Sequence, residues 1–153
     1  MWGDLHEQKE IVISLPEPVS AGKGNRLLRE LGASLHYDVY GFNASLHELW
    51  QSESILYLEL LSAENKVDAQ EGFDAISIKY PLATRPSSDQ APALALIQKI
   101  IDKFGGVATY ESRAFSVGLV QADWDECNGE LLSEWGEEPG SATLRRMIEE
   151  NYA

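Results

Sequence analysis

Residues 73–80, Phe73-Asp74-Ala75-Ile76-Ser77-Ile78-Lys79-Tyr80, alternate apolar and polar side chains. A period of two predicts a strand with Ile76, Ile78 and Tyr80 toward the core and Phe73, Ala75 and Ser77 on the opposite face. Ser54 to Leu61 leans the same way, and a polar segment from Glu64 to Gly72 separates the two runs, so they are expected to pair as a hairpin. Glu10 to Leu15 is rich in β-branched residues and should end as a strand at Pro16 and Pro18, which have no amide proton for a sheet ladder. His36 to Phe42 also alternates, with Tyr37, Val39 and Gly41 opposite Asp38 and Tyr40, and reads as a single strand. Val107 to Tyr110 reads as a final strand, resuming from Phe115 to Leu119.

Other stretches carry helical spacing. Leu94, Ile97, Ile101 and Phe104 fall three and four apart; Ser88 is placed to cap that helix, Pro92 fits its first turn, and Gly105-Gly106 ends it. Leu27, Leu28 and Leu31 share a face between a predicted cap at Asn25 and a stop at Gly32. Leu46, Leu49 and Trp50 predict a short helix after Asn43. Asp123 followed three residues later by Glu126 matches a helix start, and that helix should run through Leu131, Leu132 and Trp135 to Gly136. Pro139-Gly140-Ser141 then turns the chain into a last helix striped by Leu144, Met147 and Ile148.

The resulting order predicts an α+β fold: an antiparallel or mixed sheet of four to five strands, two main helices on one face in a βαββαβ-like core, and C-terminal helical additions. With 153 residues and no linker, repeat or low-complexity tract, residues 1–153 read as one domain. A hydrophobic content of 44% and four Trp, six Tyr and four Phe supply a core, which excludes a disordered chain.

Charge adds a restriction. Twelve Lys and Arg against 25 Asp and Glu leave -13, a field that disfavours binding to nucleic acid or anionic membrane surfaces and attracts basic ones. The N-terminus lacks a secretory pattern, no apolar run approaches the ~20 residues of a membrane span, and the single Cys127 has no internal disulfide partner; a cytoplasmic address is expected.

Motifs for catalysis are not legible. His6, His36 and His47 are scattered, without a pair or a Cys/His cluster suited to a metal, so no metal or cofactor is expected. Gly22-Lys23-Gly24-Asn25 lacks the spacing and the Ser or Thr of a phosphate-binding P-loop. Cys127 follows Asp125 and Glu126, whose charges oppose thiolate formation. An enzyme would have to assemble its site from distant residues such as His36, Tyr40, Glu59 and Arg113.

Acidity is concentrated near the C-terminus. Between Asp123 and Glu150 stand nine acids against Arg145 and Arg146. Asp123, Trp124, Asp125, Glu130, Glu134, Trp135, Glu137 and Glu138 therefore form the candidate partner-binding set: aromatics to anchor, carboxylates to steer a basic protein. The plainer accounts are capping for the acids, a core role for the tryptophans and solvation for the rest. In size, charge and α/β organisation the chain resembles the small acidic immunity proteins with which bacteria neutralise their own toxins, and that resemblance implies a non-catalytic protein that captures a basic toxin. The alternatives are an oligomeric assembly protein, a small-ligand binder, or an enzyme without a local motif.

Overall fold

The computed structural model describes residues 9–36, 39–42, 56–62 and 72–152. Over these residues it is an α+β fold with seven strands: β1 (Lys9–Val19), β2 (Ala33–His36), β3 (Val39–Phe42), β4 (Tyr57–Leu61), β5 (Phe73–Tyr80), β6 (Val107–Tyr110) and β7 (Arg113–Ala114). They form one sheet in the order β2-β3-β4-β5-β1-β6-β7, every neighbouring pair antiparallel. The helices among the described residues are α1 (Ala21–Glu30), α2 (Gln90–Phe104), α3 (Val117–Trp135) and α4 (Ala142–Tyr152).

Seven strands replace the expected four to five because two are short. Residues 36–42 do not make one strand: Val39 pairs with His36 and Phe42 with Ala33, so the segment belongs to a β2–β3 hairpin. At the other edge, β7 adds two residues to β6. Strands this short lack a full period in sequence, and cross-strand pairing defines them. β1 also continues past Pro16 and Pro18. Its regular pairing with β5 and β6 ends at Ser14, and a register shift follows before Val19 meets Phe73, so the prolines occupy a stretch where no ladder amide is required.

The core lies on one face of the sheet. Ile11 and Ile13 of β1, Ile76, Ile78 and Tyr80 of β5, Leu58 and Leu60 of β4 and Tyr110 of β6 are buried there with Leu28 of α1, Leu94, Ile97 and Ile100 of α2, Val120, Trp124 and Leu131 of α3 and Leu144 of α4. The expected inward set of β5 is present, and Phe73, expected on the opposite face, is buried in the same core, its ring edge-on to Phe104 with 6.0 Å between centroids.

Helix ends are chemically specified, though not always by the expected residue. Ser20, not Asn25, caps α1, its hydroxyl accepting from the Lys23 amide at 3.2 Å; Asn25 lies inside the helix and accepts from the Tyr40 hydroxyl of β3 at 3.0 Å. A 3₁₀ turn, Ser87–Asp89, leads into α2, so Ser88 is not its cap. Ser116 caps α3, accepting from the Leu119 amide at 3.1 Å, which turns the expected strand at 115–119 into the first turn of that helix. Gly32, Gly105 and Gly136 end α1, α2 and α3 with left-handed φ of 98°, 72° and 68°, as their positions predict. The expected helix at Leu46, Leu49 and Trp50 lies outside the described residues.

Candidate functional site

α3 carries most of the candidate set. At 100° per residue its inward stripe is Val120, Trp124, Cys127, Asn128 and Leu131, all buried. Asp123, Glu126, Glu130 and Glu134 are separated by three, four and four residues, which places them in one row along a flank of the helix. Glu126, Glu130 and Glu134 are exposed and Asp123 is half-buried. Asp125 points to the other flank, where it accepts from Gln121 at 3.0 Å, and Gln121 also donates to Gln90 of α2 at 2.5 Å. The acidic row thus faces away from α2, toward the β6 side, where the Tyr110 hydroxyl donates to Asp123. Glu137 and Glu138 follow in the turn after Gly136.

That placement revises what each residue does. Asp123 lies in the second turn and caps nothing; it tethers α3 to the sheet through Tyr110. Burial, with the Asp123 carboxylate second, holds the Tyr110 phenol well above the ordinary tyrosine range. Trp124 is 0% exposed and stacks on Tyr80, with centroids 4.2 Å apart and planes at 11°. It is a core anchor. Trp135 is half-buried against the same core, and its indole nitrogen is enclosed. The exposed large apolar residues of α3 are instead Val117 and Leu132. No Lys, Arg or His occurs between Val117 and Trp135, so nothing on the helix itself offsets the row.

Cys127 sits on the inner face, 6% exposed and beside the buried Lys9 of β1. Burial pushes its thiol up more than Lys9 lowers it, and Asp123 and Glu130 push it further up. A buried neutral thiol in this setting is a poor nucleophile.

The dispersed quartet does not converge. His36 lies on edge strand β2 and Arg113 on the opposite edge strand β7, with five strands between them, or about 29 Å at the usual strand spacing. Tyr40 faces the helices, whereas Glu59 faces the other side of the sheet, 3.9 Å from Lys79. On that second face Ser77 donates to Glu10 at 2.5 Å. Alternation in β5 exposes the parity, but only pairing with β1 and β4 brings Glu10, Glu59, Ser77 and Lys79 together.

Among the described residues no three His, Cys, Asp or Glu are grouped to hold a metal ion, and no helix is long and apolar enough to cross a membrane. The chain matches no protein-family model, and no curated protein is significantly similar to it.

Proposed function

We propose that this domain is a non-catalytic binding module that presents the outer flank of α3 to a basic protein. The observation that carries this reading is the row Asp123, Glu126, Glu130 and Glu134, extended by Glu137 and Glu138, on a helix without a single cation. Like charges at i,i+4 destabilise a helix by about 0.2–0.5 kcal/mol per pair, so Glu126–Glu130 and Glu130–Glu134 are a stability cost that a basic partner would relieve. A rigid support suits such a surface: Ser116 fixes one end of the helix, Gly136 the other, and Trp124 and Leu131 seat it on the sheet. Trp124 and Trp135 then serve the surface from beneath. An immunity-type role, blocking a basic toxin, fits the same chemistry.

The test uses the purified chain as bait in native lysate, identification of the captured protein, and kinetics with that partner purified. A Glu126→Lys/Glu130→Lys/Glu134→Lys variant is expected to slow association by about 10-fold or more at low salt, because steering acts on the on-rate. An unchanged on-rate, or a captured partner with no basic surface, refutes the reading.

A further inference from the structure

The cations are as unevenly placed as the acids. Lys23, Arg26 and Arg29 lie on the outer side of α1, Lys99 and Lys103 on that of α2, and all five are exposed. The two helices meet at this point: Lys103 Nζ lies 2.9 Å from Glu30 Oε2, and Phe104 packs on Phe73, whose ring lies against Gly24. Among the described residues, five cations therefore share one surface with two acids, Glu30 and Asp102, on a chain of net charge -13. Complementing the helix dipole accounts for Arg29 and Lys103 in the last turns of α1 and α2. It does not account for Lys23, Arg26 and Lys99, which lie further from those ends.

This basic surface and the acidic row stand at opposite ends of the helix layer. α1 covers β3 through Asn25–Tyr40, and α2 follows through Phe104–Phe73. α3 comes last, over β5 and β6, through Trp124–Tyr80 and Asp123–Tyr110, with its acids on the flank away from α2. One molecule cannot bring its own two surfaces together. They are similar in scale: Asp123 to Glu134 runs about 16 Å and Lys23 to Arg29 about 9 Å at 1.5 Å per residue, and Lys99 and Lys103 extend the basic surface onto α2 beyond the Lys103–Glu30 pair.

We infer that the α1/α2 surface is a docking site for the acidic α3 row of a second copy, giving a weak, head-to-tail self-association. Such a contact is heterologous, so it extends into open chains instead of closing as a twofold dimer. It shares the acidic row with the binding role proposed above but does not depend on a foreign partner. Two molecules of this charge repel at long range, and a Debye length of about 8 Å at physiological salt screens that repulsion more than it screens touching pairs. Association should therefore peak near about 0.1–0.15 M salt and decline on either side, whereas apolar association strengthens with salt.

Sedimentation velocity and light scattering of the full chain, across concentration and salt, test this directly. The expected result is a weight-average mass that rises above the 17.0 kDa monomer with concentration and returns to it at high salt. Arg26→Glu/Arg29→Glu and Glu130→Arg/Glu134→Arg should each abolish the rise, and mixing the two variants should restore it. Circular dichroism checks their fold; should either misfold, the salt profile of the unaltered chain decides alone. A monomer at every concentration and salt overturns the inference, as does self-association that survives either reversal or grows monotonically with salt. A failed capture of a basic partner leaves these outcomes unaffected.

Discussion

At the scale of single residues, two glycines on helices do opposite work. A Cβ at Gly24 would lie 2.5 Å from Cε1 of Phe73 and 2.7 Å from Cζ, and that ring is itself fixed against Phe104. Gly129, midway along α3, has nothing within 4 Å of its Cβ position and is exposed. Alanine is favoured over glycine inside a helix by about 1 kcal/mol. Gly129→Ala should therefore raise stability by about 0.5–1 kcal/mol, while the buried clash at Gly24→Ala should outweigh propensity and lower it by about 1–2 kcal/mol. Urea denaturation of both variants checks the pair, and equal shifts would contradict the packing of α1 on Phe73. Nothing local in Gly22-Lys23-Gly24-Asn25 marks Gly24 as a contact point, because Phe73 is 49 residues away.

At the scale of elements, α3 shows how far periodicity reaches. Its apolar positions from Leu131 to Trp135 and its stop at Gly136 were readable from spacing. Its start was not: Asp123-Trp124-Asp125-Glu126 has the letters of a capping box, yet Ser116 makes the cap and the helix is two turns longer. Cap motifs are short enough to recur inside helices, and only the chain's path off β7 decides between them. The longer helix is what aligns Asp123, Glu126, Glu130 and Glu134. Replacing Glu126, Glu130 and Glu134 together by Gln removes two repulsive i,i+4 pairs, so the variant should gain about 0.5–1 kcal/mol at low salt and show a weaker salt dependence of its thermal midpoint. A variant less stable than the parent would mean that these carboxylates are individually stabilising and that the row carries no strain.

At the scale of the whole molecule, the tie between sheet and helix layer is sensitive to alkaline pH. Tyr110 of β6 donates to Asp123 of α3, and burial raises its folded pKa above the unfolded value of about 10. A raised folded pKa means that the folded state holds the proton more tightly, so the stabilisation is complete below about pH 10 and declines as pH rises above it. Burial raises the Tyr80 phenol in the same sense. Tyr110→Phe should cost about 1 kcal/mol near neutrality, from the lost hydrogen bond, and that difference should shrink above about pH 10. Denaturation midpoints of both proteins at neutral and alkaline pH measure this; a constant gap would exclude Tyr110 as the titrating tether.

By itself the sequence determined the α+β class, the inward face of β5 at Ile76, Ile78 and Tyr80, the glycine stops of three helices and the concentration of acids near the C-terminus. Those features rest on periodicity, on backbone freedom at single residues and on composition, all of which are local. Tertiary structure alone decided the seven-strand order, the edges β2 and β7, the burial of Trp124 and the separation of His36 from Arg113. It also set the acidic flank of α3 opposite the basic surface of α1 and α2. These depend on which strands pair and which helix faces meet, and the contacts that specify them join residues dozens of positions apart.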